Sequence, residues 1–127
     1  VINHLADEEV EDFRALLDLI LRAPARPLPS IDPMGWVTAR DYNARALTPS
    51  VQRFMSERQR SLAWLRELDA PDWEAAVQMS HGEMRAGDVV ASWVAHDQWH
   101  IQQLVQIRRA YLAERAKPYR TAYAGTL

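Results

Sequence analysis

The chain lacks cysteine altogether, and it has neither a long run of apolar residues nor a strong excess of one charge. Without cysteine there is no disulfide, no thiolate ligand and no cysteine nucleophile, so any bound metal must be held by nitrogen and oxygen atoms. No run approaches the ~20 apolar residues that a membrane-spanning helix needs. Seventeen acidic and fifteen basic residues give a net charge of -2, which provides no general attraction to nucleic acid or to an anionic membrane.

Apolar residues are plentiful: they make up 48% of the 127 residues, enough to bury one core. We therefore expect a single domain over residues 1–127. We expect a cytoplasmic protein by default, because the sequence carries no secretory signal. The chain begins at Val1 in an already helical pattern and without an initiator methionine, so a missing upstream piece would hide such a signal.

Three stretches have the apolar spacing of long helices. The first covers residues 1–22 and stops at Pro24. The second starts with Thr48 as its cap and Pro49 at the first helical position, and it ends before Pro71. The third runs from about residue 86–88 to about 116. Since nothing alternates with period two for long enough to form a strand, the sequence predicts an all-α fold.

The connections are less regular. Residues 23–47 are rich in proline and predict a long ordered crossover with a short helical piece over residues 37–45. Residues 72–78 are expected to make one or two helical turns, and the sequence Ser80-His81-Gly82 marks a turn with His81 exposed. A helical bundle with one long crossover accommodates this order of elements.

The third predicted helix contains the most informative residues, His96 and His100. Residues four apart lie on the same helical face, so both imidazoles can point at one ion. His4 lies on the first helix and can supply a third imidazole. Three histidines leave a coordination position open, which is typical of a reactive metal site, because structural zinc sites usually fill all four positions with protein ligands.

Two other interpretations of these histidines are less consistent with the sequence. Hydrogen-bonded core histidines would fit a single imidazole on an apolar face, but three of them without a shared partner would leave several donors and acceptors unsatisfied. A zinc-peptidase helix of the H-E-x-x-H type would place Asp97 in the glutamate position. That interpretation fails because the only later acid, Glu114, lies about 20 Å along the same helix and cannot reach the ion.

Several charged residues interrupt apolar stripes or accompany the histidines. Glu8 lies one turn from His4 and is a candidate for a fourth ligand, an orienting group or a proton carrier, or simply a solvent-facing acid. Arg58 interrupts the apolar face of the second helix. Because an unpaired buried charge costs several kcal/mol, we expect Arg58 to pair with one of the three acids that also lie near apolar stripes. These acids are Glu9, Asp12 and Asp97.

Two segments of the sequence resemble the DinB-like superfamily. They are the opening Asn3-His4-Leu5-Ala6-Asp7-Glu8-Glu9 and the later Trp93-Val94-Ala95-His96-Asp97, which is completed by His100 and followed by Gln103. In that superfamily, one histidine lies early in the second helix of a four-helix bundle, and an HxxxH pair lies on the last helix. His4, His96 and His100 match these positions. The likeness spans nearly the whole chain, but only the histidine pattern is specific. The family's first helix has no counterpart, so the chain is expected to start at the second.

The resemblance implies a divalent metal ion, usually zinc or nickel, and frequent homodimers. Relatives of this type include S-transferases that use a low-molecular-weight thiol such as bacillithiol or mycothiol, a maleylpyruvate isomerase branch, and hydrolases. The family name does not imply DNA binding, which agrees with the acidic balance of this chain.

Two hypotheses of function follow. In the first, His4, His96 and His100 hold one ion whose open position binds water or a thiol, Glu8 handles the proton as the catalytic residue, and the substrate is a small molecule. In the second, the protein is a non-catalytic stress-response or binding module whose metal only staples the helices together. The sequence does not distinguish hydrolysis from thiol transfer.

Overall fold

The computed structural model describes residues 1–125, and its first helical segment contains a change of winding. Helix α1 (Ile2–Glu8) leads into a π-helical segment, Glu9–Arg14, and the α-helical winding resumes in α2 (Ala15–Arg22). The predicted first helix and its end before Pro24 are therefore confirmed. The wider π turn, which is rare and occurs mostly as a single-turn bulge, was not predicted.

The crossover contains a short helix in a different place from the predicted one. Helix α3 (Pro33–Ala39) begins where the Asp32 carboxylate accepts a hydrogen bond of 2.9 Å from the Gly35 N–H. Proline suits this first helical position because it has no N–H to leave unsatisfied. The predicted helical piece over residues 37–45 is thus wrong in its bounds: its second half is only a 3-10 turn, Tyr42–Ala44.

Helix α4 (Leu47–Arg66) corresponds to the second predicted long helix. It starts two residues earlier than predicted. Thr48 lies inside the helix, and the N-cap residue is Ala46, which has no side chain that could accept a hydrogen bond. The positive end of this helix therefore lacks the usual side-chain cap.

A small β-hairpin replaces the helical turns that were predicted after α4. Strands β1 (Ala76–Met79) and β2 (Gly82–Arg85) pair antiparallel, with Val77 opposite Met84. Gly82 begins the second strand with a φ of 130°, a conformation that glycine adopts without steric cost. The prediction of no strand was wrong because two strands of four residues are too short for period-two alternation to stand out.

Helix α5 (Ala86–Arg115) confirms the third long helix. The chain divides into two compact units, the first comprising Val1–Val94 and the second beginning at Ala95. The prediction of one domain over residues 1–127 stays a prediction.

The core of the first unit is formed mainly by α2, with the hairpin and the start of α5. Leu17 and Ile20 are almost fully buried, and Val77 and Val89 pack in the same cluster. Phe13, Trp64 and Met84 cover its margin. Burial of these apolar side chains is the main source of stability of this unit.

The second unit consists of the remainder of α5 and a turn that leads to a 3-10 helix, Ala122–Ala124. Several of its large apolar side chains are exposed, including Trp99, Ile101, Ile107 and Tyr111.

The described chain is predominantly helical, so the all-α prediction is confirmed, with the hairpin as an addition. Among residues 1–125, no helix combines the length and the apolar character required to cross a bilayer.

Candidate metal centre

Helix α1 places His4 and Glu8 one turn apart on the same face. His4 Nε2 lies 3.5 Å from Glu8 Oε1. Both side chains are largely shielded from solvent, with 18% of His4 and 7% of Glu8 exposed. The interpretation of Glu8 as a solvent-facing acid is therefore wrong, since a shielded carboxylate beside an imidazole can act on that ring's protons.

His96 and His100 lie one turn apart on α5, and their rings meet edge to face. The ring centroids are 4.4 Å apart with an interplanar angle of 75°. Their two Nε2 atoms are 3.0 Å apart. Two nitrogen lone pairs repel each other at this distance, so the arrangement requires a proton on one of them or a cation that both can face.

Gln103 determines how His100 can act. His100 Nδ1 is 2.8 Å from Gln103 Oε1. Because a carbonyl oxygen only accepts hydrogen bonds, Nδ1–H is the donor, and in the neutral ring this leaves the lone pair on Nε2. An outer hydrogen bond of this kind fixes the tautomer and the orientation of metal-binding histidines. Gln103 was noted in the sequence only as following His100, and this contact was not predicted.

His4, His96 and His100 form a group that could hold a metal ion. Each offers one ring nitrogen, and these nitrogens lie within 4.8 Å of one another. Nitrogens bound tetrahedrally to one zinc ion at 2.0–2.1 Å are about 3.3 Å apart, close to the separation of the His96 and His100 nitrogens. Imidazole ligands suit zinc, nickel, iron and copper, so the donor set fits a divalent transition metal without selecting one.

The buried carboxylate of Glu9 joins three elements of the first unit. Arg58 of α4 donates to both of its oxygens at 2.8 Å, and the indole Nε1 of Trp93 in α5 donates to Oε2 at 3.0 Å. Phe13 stacks on Trp93 with centroids 5.5 Å apart. The predicted pairing of Arg58 is thus confirmed, with Glu9 as a partner. This contact therefore holds the part of α5 that belongs to the first unit against Glu9.

A second polar cluster, around Asp7, was not expected from the sequence. Asp7 is 1% exposed and accepts hydrogen bonds from the Tyr42 hydroxyl at 2.5 Å and from Arg40 at 2.7 Å, and it is ion-paired with Arg53. Burial alone raises the pKa of Asp7, but the hydrogen bonds from Tyr42, Arg40 and Arg53 outweigh it and hold the pKa below its ordinary value. The same burial and the hydrogen bond to Asp7 raise the pKa of Tyr42.

Acid should weaken the fold through Asp7. A carboxyl group whose pKa is lower in the folded state stabilises the protein above its unfolded pKa of about 4, and this contribution disappears as the pH falls through the folded-state pKa. We therefore expect the free energy of unfolding to decrease below about pH 4, and an Asp7→Asn variant to lose part of this dependence. Urea unfolding at pH 7, 5, 4 and 3 measures both; an identical pH dependence in the two proteins would contradict the assignment.

Residues 1–104 of the chain match the family model of the DinB superfamily, so the chain belongs to that superfamily. The match includes the three histidines and Gln103. No curated protein sequence matches the chain.

Proposed function

We propose that this member of the DinB superfamily is a metal-dependent enzyme in which His4, His96 and His100 hold one divalent ion, zinc or nickel. The observation that carries the proposal is the set of three ring nitrogens within 4.8 Å of one another. A divalent ion held by three imidazoles lowers the pKa of water or of a thiol in its open position and so makes a nucleophile available near neutral pH.

The residues around the histidines have separate tasks in this proposal. Gln103 holds His100 in the tautomer with a lone pair on Nε2. Glu8 is the proposed catalytic residue: its shielded carboxylate, 3.5 Å from the His4 ring, would accept the proton that the nucleophile loses and later return it to the leaving group.

The chemistry up to this point is the same for hydrolysis and for transfer of a low-molecular-weight thiol. In both, an O–H or S–H group loses its proton and attacks an electrophilic small molecule. The alternative is a non-catalytic module stapled by its metal, in which Glu8 would only orient His4. A Glu8 substitution distinguishes the enzyme from the non-catalytic module, because it leaves the three metal-binding nitrogens in place.

The experiment combines metal analysis with turnover. Protein purified without a metal-affinity tag should contain about one divalent transition-metal ion per chain. Activity should be assayed with an activated ester for hydrolysis and with a thiol plus an electrophilic aryl halide for transfer. Glu8→Gln should keep its metal and lose at least about 100-fold in kcat, the usual contribution of a general base.

Glu67→Gln is the matched control, because Glu67 is an exposed glutamate at the end of α4. It should keep both the metal and the activity. Tag-free protein without bound metal, or a Glu8→Gln variant as active as the wild type, would contradict the proposal. The non-catalytic module would be favoured if the protein binds metal but shows no turnover in either assay, and if Glu8→Gln leaves the metal content unchanged.

We also propose a homodimer in the cytoplasm. The support for the dimer is the number of large apolar side chains that the later part of α5 exposes, such as Trp99 at 75% and Tyr111 at 66%. Exposed apolar patches of this kind typically mark interaction surfaces. Light scattering on the same tag-free preparation measures the molar mass, and a mass equal to one chain would rule the dimer out.

A further inference from the structure

The π-helical segment Glu9–Arg14 begins directly after Glu8, between α1 and α2. In a π turn each backbone N–H bonds to the carbonyl oxygen five residues earlier, so the turn contains one residue more than an α turn. Since an α-helix has about 3.6 residues per turn, one extra residue changes by about 100° which side chains of α1 and α2 share a face. Single π turns within α-helices are frequent at functional sites. The segment therefore decides where the face that carries His4 and Glu8 continues in α2.

Without the extra residue, the face of His4 and Glu8 would continue on the solvent side of α2. Regular α-helical winding places Asp18 and Arg22 in line with His4. Their side chains are 46% and 58% exposed, and Arg22 Nε lies 3.2 Å from Asp18 Oδ1. In a regular helix with the same core face in α2, Glu8 would therefore be a solvent-facing acid.

With one extra residue, the same face continues one position later, at Leu16 and Leu19, so that Leu19 takes the place of Asp18. Both leucines are buried in the core of the first unit. His4 and Glu8 are accordingly shielded from solvent. The π-helical segment thus brings an imidazole and a carboxylate into line with the core face of α2.

Glu9 is the first residue of the π-helical segment, and two other helices hold its side chain, which is 1% exposed. Arg58 of α4 donates to both carboxylate oxygens at 2.8 Å, and Trp93 of α5 donates to Oε2 at 3.0 Å. Charge-assisted, bidentate hydrogen bonds of this kind are strong and fix the orientation of both groups. Because Glu9 follows Glu8 directly in the chain, these contacts fix the point at which α1 ends and the wider turn begins.

We propose that the π-helical segment positions His4 and Glu8 for the metal site and that Glu9 is the positioning residue that holds the segment. The wider turn keeps the leucines of α2 in the core while it directs His4 and Glu8 to the same side. Glu9 acts only through the direction of these two side chains. This inference rests on the proposed function, because it assigns a role in the three-histidine site.

The first test shortens the segment by one residue and compares the result with a variant of full length. Deleting Glu11 restores the residue number of an α turn, whereas Glu11→Ala removes the same side chain and its ion pair with Arg40 but keeps the length. Each apo protein is titrated with Zn²⁺ against a competing chelator, and with Co²⁺, whose visible absorption reports the coordination geometry. In the variant lacking Glu11, His4 turns away from the site, so the Zn²⁺ affinity should fall by more than about 100-fold and the wild-type Co²⁺ spectrum should be lost. Glu11→Ala should bind both ions as the wild type does.

Glu9→Gln tests the positioning residue without changing the chain length. Glutamine has one acceptor oxygen, and its amide nitrogen would face an N–H donor of Arg58 or Trp93, so the start of the segment is released. The Zn²⁺ affinity of the folded protein should fall by about tenfold, with an altered Co²⁺ spectrum. A merely structural Glu9 predicts instead a lower melting temperature, with wild-type affinity and spectrum well below that temperature. Glu67→Gln, at an exposed position, is the control and should match the wild type.

Two results would overturn the inference and leave the proposed function intact. One is a folded variant without Glu11 that binds Zn²⁺ as tightly as Glu11→Ala does, and the other is a Glu9→Gln variant with wild-type affinity and spectrum. If circular dichroism shows that the shortened chain does not fold, the result for Glu9→Gln decides alone. Wild-type protein that binds no Zn²⁺ would refute the metal site itself, and this inference with it.

Discussion

Replacing Arg58 with methionine should destabilise the protein by about 3–5 kcal/mol, because the partner Glu9 would remain as a charge in the interior. Glu9 is 1% exposed and receives two hydrogen bonds from Arg58. Methionine fills much of the same space, so the loss would measure the charge pairing rather than a cavity. Urea unfolding followed by circular dichroism should show the lower midpoint with little change in slope.

Two further variants make this experiment specific. Arg60→Met removes an arginine whose side chain is 68% exposed and paired with Glu57, and it should cost less than about 1 kcal/mol. Adding Glu9→Gln to Arg58→Met removes the stranded charge and should recover part of the lost stability, which a double-mutant cycle quantifies. Equal losses for Arg58→Met and Arg60→Met would show that the interior pairing contributes nothing special.

The pairing of Arg58 could be predicted because it follows from solvation alone. A cation that interrupts an apolar helical face must find an anion, and Glu9 interrupts the face of another helix. The long helices were predictable for a related reason, since periodic apolar residues and the prolines that follow them are local signals. The three histidines also stood out locally, as a pair with helical spacing and a single histidine near the start.

Other features depend on contacts that local sequence does not encode. Asp7 meets Tyr42 across 35 residues of sequence, and no periodic pattern links a helical acid to a tyrosine in a proline-rich crossover. The hairpin packs Val77 into the core, and such a tertiary contact is not visible in a strand pattern of four residues. The π-helical segment Glu9–Arg14 contains the residue that binds both Arg58 and Trp93, so tertiary contacts accompany this departure from regular winding.

If the proposed enzyme is correct, a His100→Ala variant should lose metal affinity but remain folded. The substitution removes one of three imidazole ligands. Loss of an outer hydrogen-bond partner alone typically costs 10–100-fold in metal affinity, so loss of a ligand should cost more than about 100-fold. A Gln103→Ala variant, which frees only the orientation of His100, should fall between the wild type and His100→Ala. Titration of each apo protein with Zn²⁺ against a competing chelator measures this order.

The fold should survive these changes, because the buried cluster around Leu17, Ile20 and Val89 contains none of the histidines. We expect three samples to unfold cooperatively in a thermal scan: wild type treated with a chelator, His100→Ala, and the control His81→Ala. The control histidine lies in the exposed hairpin turn. Bound metal should raise the melting temperature of the wild type by mass action. A structural staple predicts a different result, since metal-binding free energy would then be a large part of the folding free energy. Complete loss of the folded state on chelation would therefore identify the ion as a staple and remove the main support for an enzyme.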